Sequence, residues 1–371
     1  MEKKNYSILE KIDQLGLVLF GESNKDILHS VGPTYQTQVK NAFDIDRPSI
    51  GPKYALMKVT NRCNSGCIYC NHSIYSTTPV SQNEPSTQEI KHTIDEVANI
   101  GALSINLTGG EPLLRQDLPE IVQYIYEKNL VSILLTNGLI LEKRWSEFIP
   151  KHLDCMLLTL DSFDPKLYSI QRGADFSHAW AGFESSLKLR DSSPSTSVFV
   201  TVTVTRSNLL ELPKIVEKLS EYDVPVWFSP YHHYNINEVD ENTPSDSKEI
   251  EEVINTLLAM QENGYPIANS QTYLKQFGPF FLKSAQLPDW YRCYAGYIGV
   301  YIDAELNVRP CWSWSLPVVG NLRKQDLDSI WNSELFYQQR KRIKNLDCSR
   351  CWLLCTAEPS IRFLVWGKNQ S

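Results

Sequence analysis

A chain of 371 residues is long enough for one large domain with a smaller one beside it. Apolar residues make up 42% and charged residues 21%, and 36 Lys and Arg against 43 Asp and Glu leave a net charge of −7, which argues against a nucleic-acid substrate. The opening MEKKNYSILEKIDQ lacks a signal-peptide pattern and no apolar run reaches membrane-spanning length, so a cytoplasmic protein with no membrane partner is expected.

Residues 1–50 read as a polar N-terminal extension with one short helix over Ser7–Val18. Short apolar, β-rich runs then alternate with helical patterns. The predicted strands are Ala55–Thr60, Leu103–Thr108, Val131–Thr136, Leu153–Leu160, Val198–Thr205 and Val224–Ser229. The predicted helices between them include Thr87–Ile100, Leu118–Lys128, Ala179–Leu189 and Leu209–Tyr222. Such alternation suggests a parallel sheet with helical crossovers, and six units could close or partly close an α/β barrel over residues 51–235. Residues 236–288 read as a helical connection: Tyr231–Ser247 is loop-like, and helices are expected over Lys248–Asn263 and Gln271–Lys283. Residues 289–371 read as a small cysteine-rich domain, with strands near Ile298–Asp303 and Val308–Pro310 and an amphipathic helix near Leu327–Ile343.

The cysteines carry the chemistry. Nine are present, three within residues 63–70 and five within 293–355. In a reducing compartment such clusters read as metal ligands or catalytic groups rather than disulfides. Cys155 stands alone near the start of a predicted strand, the wrong end of a barrel for chemistry, and reads as a buried thiol. Cys63, Cys67 and Cys70 form a CxxxCxxC on the loop leaving the first strand, the end where β/α barrels place their sites. Three thiolates on one loop can hold an iron–sulfur cluster and leave one iron open. The competing reading is a zinc knuckle with His72 as a fourth ligand.

This spacing, with Tyr69 before the last cysteine, resembles the radical SAM superfamily. Leu107-Thr-Gly-Gly-Glu-Pro112 resembles that superfamily's Gly-Gly-Glu motif at the end of the second strand. Thr136-Asn-Gly138, Thr159-Leu-Asp-Ser162 and Gln171-Arg-Gly173 match more loosely, with Thr159 standing where the family has Ser. The resemblance implies a partial (β/α)6 TIM-like barrel. It also implies a 4Fe–4S cluster on Cys63, Cys67 and Cys70, whose open iron is chelated by S-adenosylmethionine (SAM). Glu111 and the Gly109–Gly110 backbone would hold the SAM amine, Thr159 and Arg172 the ribose or carboxylate, and Tyr69 would lie near the adenine. A flavodoxin or ferredoxin would supply the electron that splits SAM into methionine and a 5′-deoxyadenosyl radical. For Thr159 and Arg172 the competing readings are a capping hydroxyl and a surface ion pair.

Cys293, Cys311, Cys348 and Cys351 could close a second centre if a hairpin brings the first two beside the later CxxC. The region resembles the SPASM or twitch domain of radical SAM enzymes, and the cysteine count suits the shorter twitch form with one auxiliary 4Fe–4S cluster. One departure is Leu306, where that pattern carries glycine. A zinc ribbon is the competing reading. Cys355 is left over, as a spare thiol, an alternative ligand, or a catalytic hydrogen-atom donor. Trp312, Trp314 and Trp352 read as packing around the site.

The resemblance points to hydrogen abstraction from carbon, leading to dehydrogenation, epimerisation or crosslinking. The fifty residues before the barrel look too short for the winged helix that often precedes it in peptide modifiers. A small molecule such as an amino sugar is therefore the first expectation and a ribosomal peptide the second. A zinc-stabilised, non-catalytic binding protein is the alternative class.

Overall fold

The computed structural model describes residues 39–41, 43–44, 50–70, 83–145, 152–193, 196–232, 240–282, 287–312, 316–347 and 351–366. The helix expected over Ser7–Val18 lies outside these residues, as do His72, Trp314 and Cys348.

The alternating apolar runs form six parallel strands. They are β1 (Tyr54–Thr60), β2 (Ser104–Gly109), β3 (Val131–Thr136), β4 (Cys155–Thr159), β5 (Ser197–Val204) and β6 (Val226–Pro230). Between them run α1 (Thr87–Asn99), α2 (Leu118–Glu127), α3 (Leu141–Trp145), α4 (Pro165–Arg172), α5 (Phe176–Ser192) and α6 (Leu212–Ser220). Each strand is two-faced. Ala55, Met57 and Val59 of β1 pack with Ile90, Ile94 and Val97 of α1. Ile133, Cys155, Leu157, Phe199 and Trp227 form a separate apolar cluster on the opposite face, the barrel interior. Cys155, fully buried at the first position of β4, belongs to that inner cluster. This is a partial TIM-type barrel.

Past β6 come α7 (Ser247–Glu262), α8 (Gln271–Lys275) and α9 (Phe277–Phe281). The single helix expected over Gln271–Lys283 is broken at Gln276. Pro279 has no N–H for the Lys275 carbonyl, and its ring crowds that carbonyl. The chain then forms β7 (Gly299–Ile302), β8 (Asn307–Arg309), β9 (Gly320–Asn321), α10 (Leu327–Trp331), α11 (Glu334–Lys344) and α12 (Leu354–Trp366). The helix expected over Leu327–Ile343 is two helices, because Ser333 caps a new start by accepting from the Phe336 N–H.

The hairpin does not stand apart from the barrel. β7 pairs parallel with β1, and β8 and β9 follow antiparallel, giving the order β6-β5-β4-β3-β2-β1-β7-β8-β9. Val300, Ile302, Val308 and Trp331 share one apolar core with Met57 and Val59. Leu327 N–H bonds Glu96 of α1, and Arg323 pairs with Glu89 of α1 at 2.7 Å.

Leu306 takes a left-handed backbone, φ 62°, in the β7–β8 turn. The turn is held by Asp303, whose Oδ1 accepts from the backbone N–H groups of Glu305 and Asn307. A glycine position is thus occupied by leucine because the side chain, 2% exposed, packs in the shared core. Backbone relief from Leu306→Gly is worth about 1–2 kcal/mol and the lost burial about 1.5–3 kcal/mol, so a small net loss of stability in urea unfolding is expected.

Candidate functional site

The loop Asn61–Cys70 leaves the C-terminal end of β1 and is fixed from two sides. On one side lies β2. Gly110 N–H bonds the Thr60 carbonyl at 2.9 Å, and Glu111 N–H bonds the Arg62 carbonyl at 2.7 Å. A Cβ on Gly110 would sit 2.1 Å from the Arg62 oxygen, and one on Gly109 would sit 2.6 Å from the Thr60 oxygen. Close backbone approach therefore accounts for both glycines. On the other side lies the end of α4, a helix the sequence reading missed. Asp164 caps its start, Pro165 occupies its first turn, and Gly173 ends it in the left-handed region. Gly66 N–H bonds the Arg172 carbonyl and Ile68 N–H bonds the Gln171 carbonyl, each at 3.0 Å.

The thiols face hydrogen-bond donors. Cys67 is buried, with the donor Arg172 Nη1 3.5 Å from its sulfur; Ser65 Oγ lies 3.2 Å from the same sulfur and gives its own proton to the Arg172 carbonyl at 2.7 Å. Asn137, from the loop after β3, places Nδ2 3.9 Å from Cys63 Sγ and 2.9 Å from Asn64 Oδ1. Burial pushes the Cys63 thiol up to about 11. A bound metal reverses that preference, because a coordinated thiol is deprotonated. Among the described residues, no three Cys, His, Asp or Glu side chains converge as tightly as the ligands of a single ion. The donor set suits a larger group: three thiols wrapped on one loop, with N–H groups aimed at sulfur.

Arg172 is the centre of the α4 side. Its Nε lies 2.6 Å from Asp161 Oδ2, with side-chain exposures of 8% and 0%. The pair is ionic rather than aligned for hydrogen bonding, since Nε, like Nη2, makes no hydrogen bond. Burial alone would lower the Arg172 pKa; Asp161, then Tyr69 and Cys67, outweigh it and raise the value well above the ordinary one. Arg172 is therefore in a buried pair, not the surface pair considered above. Tyr69 donates its hydroxyl to Asp161 Oδ2, and the Arg172 guanidinium lies 5.5 Å from its ring centre. Asp161 Oδ1 accepts from the Thr203 N–H at 2.7 Å. Asp161 was legible only as part of Thr159-Leu-Asp-Ser162, and nothing in that segment marked it as the anchor of both Tyr69 and Arg172.

Glu111 is 1% exposed. It accepts from the Leu113 N–H, the Thr136 hydroxyl and the Asn137 N–H at 2.7–2.9 Å. Burial raises its pKa from 4.5 to about 7, against the pull of these donors and of Arg172. A carboxyl with a raised folded-state pKa contributes stability that is complete below pH 4.5 and lost as pH rises through about 7. Urea midpoints measured across that window should fall in the native chain by the equivalent of about 3 kcal/mol from this group, and Glu111→Gln should remove that part of the slope. Thr159 donates to the Thr136 carbonyl at 3.1 Å, tying the ends of β3 and β4.

The second set of cysteines is partly described. Cys293, Cys311 and Cys351 are buried, and Cys293 and Cys311 share a packing cluster with Trp352. The Tyr291 hydroxyl bonds Cys293; burial raises its pKa well above the ordinary value, and Cys293 and Cys351 add to the rise. Cys351 Sγ lies 3.9 Å from the Thr356 hydroxyl. Thr356, Cys355 and Cys311 line one small, partly open cavity, with Tyr54 and Tyr301 on its wall. Trp312 packs on Tyr301 at 4.7 Å and Trp352 stacks on Tyr273 at 5.6 Å, as packing residues do.

Cys355 sits on the first turn of α12, another helix the sequence reading missed. Pro359 leaves the Cys355 carbonyl without its helical donor, and the Tyr54 hydroxyl supplies one at 3.0 Å. Tyr54 begins β1, whereas the Cys63 loop leaves its other end, about 20 Å along the strand. Among the described residues no helix is long and apolar enough to cross a membrane.

Comparison with known proteins agrees with this arrangement. Residues 57–219 match the Radical SAM superfamily, and residues 293–352 match the SPASM iron–sulfur cluster-binding domain. The AdoMet-dependent heme synthase of Methanosarcina barkeri is 28% identical over 312 residues, covering 78% of this chain and 85% of that protein. A probable GTP 3′,8-cyclase of Methanococcus vannielii is 28% identical over 201 residues, covering 52% and 67%. Among solved structures, anSMEcpe with bound AdoMet superposes with a TM-score of 0.60 at 15% identity, over 85% of this chain and 98% of that one. Streptococcus suis SuiB bound to S-adenosylmethionine gives 0.59 at 14% identity, over 85% and 72%. The chain belongs to the radical SAM superfamily, an enzyme that uses SAM and 4Fe–4S clusters, with a C-terminal SPASM-type cluster-binding domain.

Proposed function

We propose that the chain removes a hydrogen atom from carbon in a small polar substrate held in the barrel mouth, with one auxiliary cluster in the C-terminal region. The observation that carries this reading is the docked loop, where Cys63, Cys67 and Cys70 are held between β2 and α4 with donors at two of the sulfurs. The cluster and SAM supply the one-electron cleavage that generates the radical. The chain's own residues bind and orient. Glu111, buried among neutral donors, offers a carboxylate that an ammonium would neutralise. The unpartnered Nη2 of Arg172 offers a donor for a carboxylate or ribose oxygen. The inward-facing Thr108 and Thr201 are half-buried and offer hydroxyls to a substrate bearing several polar groups, such as an amino sugar. A peptide is the second reading; SuiB, of the same fold, has been solved with its precursor peptide SuiA.

Anaerobically reconstituted protein should be brown and should release 5′-deoxyadenosine with dithionite and SAM. A colourless protein holding stoichiometric zinc would overturn the assignment. Cys293, Cys311 and Cys351 are the auxiliary ligands on this reading, together with Cys348. Cys355 belongs with them rather than with the substrate, because its helix turn borders the Cys311 cavity at the start of β1. Cys355→Ser is expected to lower the iron content of the auxiliary site while leaving the SAM-responsive cluster intact. Full iron together with an altered product stereochemistry would restore the hydrogen-donor role.

A further inference from the structure

Lys58 is an unusual residue in its position. It lies in the middle of a central strand and is 2% exposed. Its neighbours Met57 and Val59 face the helices, so Lys58 shares the inner face with Tyr54 and Leu56, which line the Cys311 cavity. It is two residues from the end of β1, where the cysteine loop begins. Across β2 it pairs with Thr108. Across β7 the register runs Leu56 to Tyr301 and Met57 to Ile302, so the next position beside Lys58 is Asp303. An ammonium is thus fixed inside the barrel, beneath the thiol loop and beside the auxiliary hairpin.

We propose that Lys58 is a positioning charge for the SAM-binding cluster, raising its reduction potential by favouring the reduced state. The inference rests on the assignment of that cluster to Cys63, Cys67 and Cys70. On reduction the cluster gains one electron from an external donor, and its core goes from 2+ to 1+ with no bond made or broken. A cation held close by in a medium of low dielectric stabilises the more negative state. The surroundings agree: burial outweighs Asp303, Cys70 and Cys63, each of which favours the ammonium, and leaves the Lys58 pKa at about 8. The Asp303 carboxylate is held in its own turn by Glu305 and Asn307, so its opposing charge is fixed and is the same before and after Lys58 is replaced.

The test is redox potentiometry of the full reconstituted chain, following the electron-spin signal that changes when SAM is added. Lys58→Met should lower the ratio of reduced to oxidised cluster about tenfold at the wild-type midpoint, a shift of about 59 mV to more negative potential. Lys58→Arg should restore the wild-type value. Lys58→Gln, which keeps a polar tip, gives the same reading if the methionine variant does not fold. Unchanged midpoints in folded neutral variants with full iron would overturn the role of Lys58. A different result, a variant with Cys63, Cys67 and Cys70 all replaced that still gives the SAM-responsive electron-spin signal, would instead overturn the cluster assignment beneath it.

Discussion

Asp161→Ala is expected to destabilise the chain by about 3–5 kcal/mol and to loosen the Tyr69 end of the cysteine loop, while the Gly66 and Ile68 backbone bonds to α4 remain. The carboxylate is fully buried and meets three partners: Arg172, the Tyr69 hydroxyl and the Thr203 N–H. Removing it leaves the Arg172 guanidinium as an uncompensated charge in the interior, which costs far more than the pair itself contributes. It also frees Tyr69, one residue before Cys70. Urea unfolding measures the first effect, and iron content after reconstitution measures the second. Asp161→Asn keeps the shape and an acceptor for Tyr69 or Thr203, so its loss should be smaller. An alanine variant as stable as the parent, with full iron, would show that Arg172 finds another partner.

The second large effect is on turnover. Replacing any one of Cys63, Cys67 or Cys70 with Ala should abolish 5′-deoxyadenosine formation, a loss of several orders of magnitude. Cys67 is the most constrained of the three. Its sulfur is buried against Ser65 Oγ and Arg172 Nη1, so no neighbouring thiol on the loop can move into its place. The fold itself should survive, since the loop is docked by backbone bonds from Gly66 and Ile68 rather than by the thiols. Chromatography of the quenched reaction separates the outcomes. A triple variant that still makes 5′-deoxyadenosine would remove the basis of the assignment.

Much of this was legible in the sequence, and the gaps have physical reasons. The strands were found because apolar, β-branched runs of five to eight residues have few other uses between helices. The cysteine triad and Gly109-Gly110-Glu111 were found because their spacing is local. The helix Pro165–Arg172 escaped because eight residues carry barely two turns of periodicity. Its signals were instead the capping Asp164, Pro165 and the closing Gly173. The final helix escaped because Pro359 lies inside it, where proline argues against a helix; the Tyr54 hydroxyl, at the start of β1, removes part of that cost. Asp161 and Lys58 were invisible for one reason. A buried charge is defined by what surrounds it, and the partners of Asp161 come from positions 69, 172 and 203. Leu306 shows the reverse case: it departs from the family pattern in letter but takes a left-handed backbone angle that glycine adopts most readily.

The parallel pairing of β7 with β1 makes β1 an inner strand with neighbours on both sides. Cutting the chain ahead of β7 would strip one side of β1 of its backbone partners. It would also open the Met57 and Val59 core to water, and an edge of that kind recruits other chains. The barrel and the cluster-binding region are therefore not interchangeable parts that evolution or an engineer could recombine at the boundary. They share one sheet, so a change at the seam between β1 and β7 reaches the cysteine loop and the C-terminal hairpin together.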